Sequence, residues 1–525
     1  MSGMAGAEAR RAARDTIGDA LHRSVRRQPH KLALTFAGRE WTYAELDAAA
    51  NRAAHALIEA GLQPGERVAA FGQNSDAYVL LWLACTRAGL VHVPVNYALR
   101  RSELEYILRQ SGARAVFMDP ALADALEGAS GDIDLALVGT FHGGGEADVL
   151  TWAQDTAQPG TPPEVDLGAS ALAQLLYTSG TTAAPKGAMM THAALHSEYL
   201  SSIVALDFRE EDVVLAALPL YHSAQMHVML MPQLLVGATI HLIPAPAADL
   251  TLELMERLKV TSFFAPPTVW VSLLRHPDFG TRDLSRLRKL YYGASIMPTP
   301  VLTEIMARLP QAGFYNCYGQ SELAPLATVL APHEHAERPA SAGRPVLNVE
   351  TRVVDENTHD LPPGQPGEIV HRSPHLLVGY WDKPEETAEA FRGGWFHSGD
   401  LGFLDEGGYL YVVDRVKDVI NTGGVLVAGR EVEEALYTHP AVSEVAVIAL
   451  PDDRWVEAVT AVVVLKPGQS ATPEELCDHA RTSLAGFKVP KRVHFVEALP
   501  RNTAGKILKR ELRERFHQVP QEKSE

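Results

Sequence analysis

Residues 178–187 read TSGTTAAPKG, and this loop decides how the rest of the chain is interpreted. Its glycines allow the backbone to approach a ligand closely, and its hydroxyl and backbone N–H groups can donate hydrogen bonds to phosphate oxygens. The residue order differs from the G-x-x-x-x-G-K-[ST] pattern of a Walker loop. The apolar run 173–177 predicts a buried strand that leads into the loop. The stretch therefore predicts a phosphate-binding loop, and the alternative is a Gly/Thr-rich surface turn.

The longer stretch 177–192, YTSGTTAAPKGAMMTH, resembles the phosphate loop of the adenylate-forming enzymes. This superfamily includes acyl-CoA synthetases, the adenylation domains of nonribosomal peptide synthetases and beetle luciferases. Ala183 stands where the family usually has a glycine. The resemblance implies that the phosphates of ATP are bound by Thr178, Ser179, Gly180, Thr181, Thr182 and Lys186.

Composition limits the class of protein. The chain has 525 residues, of which 46% are hydrophobic, as in an ordinary globular protein. Its net charge of −17 argues against nonspecific binding of nucleic acid. Three widely separated cysteines form no metal-type spacing and favour a reducing, cytoplasmic setting. We find no apolar run long enough to span a membrane, and we expect the Ala/Arg-rich start to be a surface helix or disordered.

Apolar runs alternate with amphipathic segments from about Arg67 onward. Such alternation predicts α/β layers with largely parallel sheets. We expect helices over residues 76–87 and 250–259. The predicted strands are residues 68–71, 91–95, 213–220, 239–243, 261–265 and 287–292.

Turn-rich residues 364–368 and 393–408 predict a β-rich subdomain. The last 110 residues or so have an alternation of their own, with predicted helices 430–438 and 473–483 and predicted strands 445–449 and 459–465. The predicted fold class is α/β: a large N-terminal domain of layered α/β sheets with a β-rich subdomain, plus a small α+β C-terminal domain. The family resemblance places the N-terminal adenylation domain at 1–416 and a mobile C-terminal lid at 417–525.

Two motifs resemble the acyl-pocket segments of the family. Residues 219–222 read PLYH, and in the family this histidine, His222 here, lies beside the acyl pocket. The later family glycine is Gln225. Residues 292–295 read YGAS, and the resemblance implies that Gly293, Ala294 and Ser295 cover one face of adenine. A satisfied histidine and an ordinary strand-to-helix turn are the alternatives when each motif is taken alone.

Residues 315–322, YNCYGQSE, resemble the YGxTE motif of the family, with a serine replacing the threonine. Mg²⁺ prefers oxygen ligands and usually joins one or two carboxylates to substrate phosphates. The resemblance implies that Glu322 binds the metal and that Ser321 contacts phosphate. Tyr318 can stack on adenine and Asn316 can read its amino edge, with Gly319 and Gln320 in the same nucleotide-binding segment.

Three later motifs complete the resemblance. Residues 393–402, GGWFHSGDLG, place Asp400 as the ribose ligand, and residues 414–418, DRVKD, place Arg415 on ribose or phosphate with Lys417 as the domain hinge. Residues 500–512, PRNTAGKILKREL, place Lys506 as the catalytic lysine. We expect the neighbouring Lys509 and Arg510 to be solvated. We also expect the cluster 333–335, His-Glu-His, to lie on the surface, since no third ligand is evident.

Together the motifs imply that ATP and Mg²⁺ activate a small carboxylic acid as acyl-AMP, which is then transferred to coenzyme A. The implied catalytic residues are Lys506, Glu322, Lys186 and His222. No nucleic-acid partner is expected, and a homodimer is left open. The Glu-Asn pair that acyl-CoA synthetases carry after the hinge is Val425 and Leu426 here. This change keeps open a different acceptor, namely a carrier protein, an amine, or nitrite activation for diazotisation. A non-catalytic nucleotide-binding protein is the remaining alternative.

Overall fold

The computed structural model describes Ala9 and residues 12–178, 185–295, 297–415, 418–423, 425–452, 455–502 and 505–517. Five residues with predicted roles lie outside these ranges: Lys417 and the phosphate-loop residues Ser179, Gly180, Thr181 and Thr182. Within the described part of the chain, no helix has both the length and the apolar character needed to cross a membrane.

The strands of the N-terminal domain alternate with helices along most of its length. They are β1 (Leu32–Phe36), β2 (Arg39–Thr42), β3 (Arg67–Phe71), β4 (Val91–Val95), β5 (Ala113–Met118), β6 (Leu137–Thr140), β7 (Leu172–Thr178), β8 (Lys186–Thr191), β9 (Val213–Ala216), β10 (Thr239–Leu242), β11 (Ser262–Ala265), β12 (Lys289–Gly293), β13 (Gly313–Gly319), β14 (Leu326–Leu330), β15 (Arg344–Pro345), β16 (Glu350–Val354), β17 (Gly367–Arg372), β18 (Phe396–Leu404) and β19 (Leu410–Arg415). The C-terminal domain adds β20 (Ile420–Thr422), β21 (Val425–Val427), β22 (Val442–Asp452), β23 (Val456–Leu465) and β24 (Arg492–Phe495).

The α-helices connect these strands and cover the sheets. In chain order they are α1 (Ile17–Arg27), α2 (Tyr43–Glu59), α3 (Asp76–Ala88), α4 (Arg101–Ser111), α5 (Ala123–Ser130), α6 (Val149–Gln154), α7 (His192–Ala205), α8 (Met231–Val236), α9 (Ala248–Arg257), α10 (Pro267–Arg275), α11 (Thr299–Arg308), α12 (Pro384–Ala390), α13 (Gly429–Tyr437), α14 (Pro473–Arg481) and α15 (Lys509–His517).

Two mainly parallel sheets form the body of the N-terminal domain. The larger has the strand order β15-β14-β13-β12-β11-β9-β10-β1-β2, and its pairs from β1 to β13 are parallel. The other has the order β6-β5-β3-β4-β7-β8 and is parallel up to its β7–β8 edge. This arrangement confirms the predicted α/β fold class.

The strands of these parallel sheets are buried, because the connecting helices cover both faces. Every residue of β4 (VHVPV) and of β11 (SFFA) is buried, as expected for strands covered on both faces. Every residue of α3 is buried too, and an α-helix that is apolar on all sides belongs in a core. Ser75 caps the N-terminus of this helix, since its side chain accepts a hydrogen bond from the backbone N–H of Tyr78.

One predicted strand is too long. Residues 213–220 were expected to form a single strand, but β9 ends at Ala216. Beyond it, the Asn74 side-chain amide donates to the Leu218 carbonyl at 2.9 Å, and the Leu220 N–H donates to the Asn74 carbonyl oxygen at 2.8 Å. A side chain therefore replaces the neighbouring strand, and the chain is free to turn into the 219–222 motif.

The β-rich subdomain and the C-terminal domain are also present as predicted. The subdomain is an antiparallel sheet with the order β16-β17-β18-β19. The C-terminal sheet has the order β21-β20-β23-β22, with β24 parallel to β23, and α13, α14 and α15 belong to the same domain. The predicted strand 445–449 is only the middle of β22.

A buried polar chain links the six-stranded sheet to helix α7 and to the helical segment Ala224–Leu230. The Gln174 amide donates to Nδ1 of His92 at 3.0 Å, His227 Nε2 donates to the Gln174 oxygen at 2.7 Å, and the Tyr199 hydroxyl donates to His227 Nδ1 at 2.8 Å. Burial lowers the pKa of His92 and of His227 to about 3. Both imidazoles are therefore neutral in the folded protein at neutral pH.

These buried histidines predict loss of stability in mild acid. Their folded pKa values lie below the unfolded value near 6.5, so only the unfolded chain takes up their protons as the pH falls from about 6.5 to about 4. We expect the free energy of unfolding, measured by urea denaturation, to fall steadily over that range. Replacing His227→Gln should make the free energy of unfolding depend less steeply on pH. Replacing His30→Gln, at an exposed position, should leave that dependence unchanged. A pH-independent midpoint between pH 5 and 7 would contradict this assignment.

Candidate active site

The carboxyl ends of β9, β11, β12 and β13 meet at one edge of the larger sheet. Ligands of open α/β sheets bind at this edge, because the loops that leave parallel strands form a crevice there. The chain segments at this edge include residues 219–222, 293–295 and 319–322, which the sequence singled out. The fold therefore brings three motifs from distant parts of the chain together.

Two turns at this edge leave no room for side chains. A β-carbon on Gly293 would lie 2.3 Å from the Cys317 carbonyl oxygen, and one on Gly319 would lie 1.8 Å from the Pro325 carbonyl oxygen. Ala294 follows with φ of +62°, a left-handed conformation that turns the chain sharply. The backbone itself forms this surface, which agrees with the predicted approach of a flat ring.

Glu322 connects the end of β13 to the start of the phosphate loop. The Thr178 hydroxyl, at the last residue of β7, donates to Glu322 Oε1 at 3.1 Å. The Tyr380 hydroxyl donates to the same oxygen at 3.2 Å. The Lys186 ammonium lies 5.0 Å from the centre of the Tyr380 ring, within the range of a cation–π contact. Two residues of the predicted phosphate loop are thus placed around the predicted metal ligand.

Residues 377–381 fix the positions of the segments that carry Glu322 and Lys186. The Leu377 N–H donates to the Glu322 carbonyl at 2.9 Å, and the Trp381 N–H donates to the Gly187 carbonyl at 2.8 Å. Tyr380 also forms an isolated bridge with Ala188. The segment therefore ties β8 to the turn after β13, so the positions of Lys186 and Glu322 are fixed relative to each other.

A second cluster lies on the side of the β-rich subdomain. The Tyr318 hydroxyl donates to Asp400 Oδ2 at 2.8 Å, and the Arg415 guanidinium lies 3.5 Å from Asp400 Oδ1. The Asn316 side-chain amide donates to the Ser341 carbonyl at 2.8 Å. That bond uses the amide nitrogen of Asn316. An adenine amino group is a donor, so it would bond to the amide oxygen of Asn316 instead. The residues predicted to hold the nucleoside are thus brought together.

Lys506 of the C-terminal domain reaches the same edge. Its positive charge, together with burial of the imidazole, lowers the pKa of His222 to about 4, burial being the larger cause. The neighbouring Gly505 packs on α10, since a β-carbon there would lie 2.7 Å from the Thr268 hydroxyl and 3.3 Å from Pro266 Cγ. Gly505 also has φ of +83°, where glycine is strongly favoured. The C-terminal domain is therefore docked against α10, close enough for the charge of Lys506 to act on the imidazole of His222.

The loop that carries Lys506 is organised around Asn502. The Asn502 side chain accepts from the Lys506 N–H at 2.9 Å, and its backbone carbonyl accepts from the Gly505 N–H at 2.9 Å. The Arg501 guanidinium donates to the Gly505 carbonyl at 2.9 Å and pairs with Glu444 at 2.9 Å. These bonds fix the backbone from which the lysine projects.

Two buried polar atoms at the site point to a ligand. Gln320 Nε2 and Thr268 Oγ1 are buried and have no hydrogen-bond partner among the residues that the structure describes. A buried donor without a partner costs about 1–3 kcal/mol, so such groups in a crevice are expected to bond to what occupies it. Ser321 and Ser223 share a hydrogen bond of 2.9 Å beside them.

The acidic residues at the site suit magnesium better than a transition metal. Within the described ranges, no group of three or more His, Cys, Asp or Glu side chains is arranged to hold a metal ion. Glu322 is instead accompanied by two hydroxyl groups. A single carboxylate that leaves the remaining ligands to phosphate and water is the usual arrangement for Mg²⁺. The residues present therefore fit this ion.

Tyr380 is a site residue that the sequence interpretation missed. It stands in the run Gly-Tyr-Trp at 379–381, which reads as an ordinary core segment. Only the fold shows that its hydroxyl meets Glu322 and that its ring meets Lys186. Burial, followed by the charge of Glu322, raises the pKa of Tyr380, so the phenol stays protonated and acts as a donor.

Two expectations about solvated residues were wrong. Lys509 pairs with Glu433 at 2.9 Å, and its side chain is only 22% exposed, whereas Arg510 is solvated as predicted. In the 333–335 cluster, Glu334 and His335 are buried as well, whereas His333 is exposed as expected. Glu334 accepts from the Tyr409 hydroxyl at 2.6 Å, and His335 Nε2 forms a 2.9 Å hydrogen bond with the Tyr292 hydroxyl. Long-range partners, which sequence does not reveal, hold these groups inside.

Comparison with known proteins agrees with this geometry. Residues 21–381 match the AMP-binding enzyme family, and residues 431–506 match the AMP-binding enzyme C-terminal domain. A feruloyl-CoA synthase from Amycolatopsis sp is 39% identical, over 94% of this chain and 98% of that protein. Among solved structures, ATP-bound MatB from Rhodopseudomonas palustris has a TM-score of 0.88 at 34% identity, over 95% of this chain and 99% of that one. The anthranilate CoA ligase AuaEII in complex with anthranoyl-AMP has a TM-score of 0.89 at 29% identity, over 95% and 97% of the two chains.

The first of these matches alone spans more than half of the chain, and the relatives cover nearly all of it. They support transfer to CoA over transfer to a different acceptor. The chain therefore belongs to the adenylate-forming family of AMP-binding enzymes, and it is an ATP-dependent acid–thiol ligase of the acyl-CoA synthetase kind.

Proposed function

We propose that this site joins an aryl acid to AMP and then passes the acyl group to CoA. In the first half-reaction a carboxylate oxygen attacks the α-phosphorus of ATP, and the bond to pyrophosphate breaks. In the second, the CoA thiolate attacks the acyl carbon, and AMP leaves with the carboxylate oxygen. The observation that carries the proposal is the packing of Gly505, next to Lys506, on Pro266 and Thr268, at the sheet edge that also holds Glu322.

Charge repulsion dominates the first step, because an anion must approach a polyanionic triphosphate. Two opposite unit charges about 4 Å apart attract by roughly 4 kcal/mol at an effective dielectric constant near 20. A change of about 1.4 kcal/mol in the barrier alters the rate tenfold. Lys506 is therefore proposed as the cation at the reacting centre. His222, held neutral by its lowered pKa, adds no second charge and lines the acid side of the site.

We assign the phosphates to the loop that begins at Thr178. Lys186 supplies a positive charge on the β8 side, and Ser321 supplies a hydroxyl on the opposite side. Glu322 is the residue that would hold Mg²⁺, which when bound neutralises the charge of the phosphates. The hydrogen bonds that Thr178 and Tyr380 donate to Glu322 support this assignment, since they orient the carboxylate.

We assign the nucleoside to the second cluster. Asp400 would accept from the ribose hydroxyls and is kept in place by Tyr318 and Arg415. The adenine would lie between the ring of Tyr318 and the turn at Gly293, with its amino group on Asn316. The remaining predicted contacts are Ala294, Ser295, Gly319 and Gln320, which belong to the same two turns.

The acid is proposed to be aromatic, of the hydroxycinnamic type, with fatty acids as the second choice. The support is the similarity to the feruloyl-CoA synthase along almost its full length. The candidate pocket residues are His222, Phe264, Thr268, residues 292–295 and Gln320. Their mix of aromatic and small residues is compatible with an aryl acid or a medium alkyl chain.

The second half-reaction is proposed to use another orientation of the C-terminal domain. The boundary is placed between residues 416 and 417, with Lys417 as the hinge. Val425 and Leu426 on β21 are 45% and 68% exposed in the present orientation, so they are available to contact CoA after rotation. We further propose that the enzyme works in the cytoplasm, in aryl-acid or fatty-acid metabolism, and leave a homodimer open.

The test is a product screen by mass spectrometry. Purified protein is incubated with ATP, Mg²⁺ and a panel of aryl and fatty acids, with and without CoA. We expect an acyl-CoA thioester and AMP from hydroxycinnamic acids when CoA is present. Acyl-AMP that never becomes a thioester would reject CoA as the acceptor, and ADP in place of AMP would reject the whole proposal.

Replacing Lys506→Ala is expected to separate the two half-reactions. Loss of the cation should slow acyl-AMP formation by roughly 10²–10³-fold, the usual cost of removing one electrostatic contact to a transition state. Thioester formation from supplied acyl-AMP should stay near the wild-type rate, because Lys506 is proposed to leave the site. Both rates can be measured by stopping the reactions in a quenched-flow instrument and separating the products by chromatography. Equal loss of both in a folded variant would remove Lys506 from this role.

Replacing Tyr380→Phe is expected to weaken the metal side of the site. The variant keeps the ring that contacts Lys186 but loses the hydrogen bond to Glu322. A hydrogen bond to a charged group contributes about 1.5–3 kcal/mol, so we expect kcat/KM for ATP to fall by about tenfold or more, with a higher Mg²⁺ requirement. Tyr409→Phe, which removes a similar bond to Glu334 in a different cluster, is the matched control. If the Tyr380→Phe variant depends on Mg²⁺ concentration in the same way as the wild-type enzyme, the assignment is overturned.

A further inference from the structure

Lys509 begins α15, three residues after Lys506, and it lies in the interface between the two domains. Its ammonium pairs with Glu433 Oε1 of α13 at 2.9 Å, and both side chains are about one-fifth exposed. The same Glu433 oxygen accepts from the Val447 N–H at 2.8 Å, so its position is fixed by β22. Burial opposes the charge of Lys509, but Glu433 and Asp414 outweigh it and raise the pKa of the ammonium.

Asp414 approaches this pair from the N-terminal domain. It belongs to β19, and its Oδ2 accepts from the backbone N–H of Gly429, the first residue of α13, at 2.9 Å. A carboxylate at a helix N-terminus is stabilised by the positive end of the helix dipole. A β-carbon on Gly429 would lie 3.5 Å from Asp414 Oδ2 and 3.6 Å from Lys509 Nζ. The carboxylate of Asp414 and the ammonium of Lys509 therefore both lie next to the backbone of Gly429.

The same helix makes further contacts with the N-terminal domain. The Arg430 guanidinium donates to the Val412 carbonyl of β19. Glu434 accepts from the Thr299 N–H, at the start of α11, at 3.4 Å. Helix α13 is thus docked at several points, with Lys509 and Asp414 at its N-terminal end.

We propose that Lys509 is a positioning residue that holds the C-terminal domain in the present orientation, in which Gly505, next to Lys506, packs on Thr268. Its ammonium joins a carboxylate of its own domain to the charge of Asp414 on the other domain. Asp414 precedes the proposed hinge at Lys417, whereas Glu433 and Lys509 follow it. Rotation of the C-terminal domain about this hinge moves Lys509 away from Asp414, so the attraction between these two residues stabilises only the present orientation. The inference rests on the proposed two-orientation mechanism.

The predicted effect is selective for one half-reaction. Replacing Lys509→Gln leaves two carboxylates facing each other without a cation, so the docked orientation becomes less populated. We expect acyl-AMP formation to slow by about tenfold, while thioester formation from supplied acyl-AMP is unchanged or faster. Asp414→Asn, which can still accept from Gly429, should give a similar result. The double variant should form acyl-AMP no more slowly than either single variant, because each substitution removes the same attraction between Lys509 and Asp414.

Matched controls separate positioning from general damage. Arg510→Gln alters the next residue, which is 79% exposed, and should leave both half-reactions unchanged. Lys509→Arg should restore acyl-AMP formation because it keeps the charge. Equal slowing of both half-reactions by Lys509→Gln, or additive effects in the double variant, would overturn the proposal.

A second readout does not depend on activity. Cysteines introduced as Thr299→Cys and Glu434→Cys lie on opposite sides of the domain interface, and a short bis-maleimide should link them in the present orientation. We expect mass spectrometry to find less of the linked peptide when Lys509→Gln is added, and equal yields would overturn the proposal. If wild-type protein forms no acyl-AMP from any acid, the ligase assignment fails, whereas the crosslinking yields still decide the role of Lys509.

Discussion

The structure depends on one electrostatic requirement: a cation must stand where a carboxylate meets a triphosphate. The protein as a whole cannot provide this field, since its net charge is −17. In the proposed mechanism the positive charge comes instead from a separate domain, in which Gly505, next to Lys506, packs on Thr268. Because Lys506 is not part of the large sheets, the proposed rotation of the C-terminal domain can withdraw it once acyl-AMP has formed. One crevice can then serve two reactions that need opposite electrostatic surroundings.

The N-terminal domain provides the fixed half of this arrangement. Parallel strands direct several loops to one edge of a sheet, and residues 377–381 tie the turn after β13 to β8. Glu322 and Lys186 are held by the same phenol, so the acidic and basic sides of the phosphate site keep a constant separation. The opposite side of the crevice is set by the bond between Tyr318 and Asp400. The proposed mechanism pairs this fixed half with a C-terminal domain that rotates.

Much of this could be predicted from sequence, because local patterns encode it. Apolar runs with regular spacing gave the parallel sheets, and short motifs gave the residues of the crevice. What could not be predicted depends on contacts between distant segments. The strand expected over 213–220 ends early because Asn74 takes over its hydrogen bonds. Tyr380 reads as a core aromatic and Lys509 as a solvated lysine until the fold supplies Glu322, Glu433 and Asp414.

The most direct measurement of the central claim is the fate of the carboxylate oxygen. The acid is labelled with ¹⁸O in both carboxyl positions, and AMP from a complete reaction with ATP and CoA is analysed by mass spectrometry. Attack of the carboxylate on the α-phosphorus predicts one ¹⁸O atom in every AMP formed, because the oxygen stays on phosphorus when the thiolate attacks the acyl carbon. Unlabelled AMP, or label found in pyrophosphate, would show that the acid is not activated as an acyl-adenylate at this site.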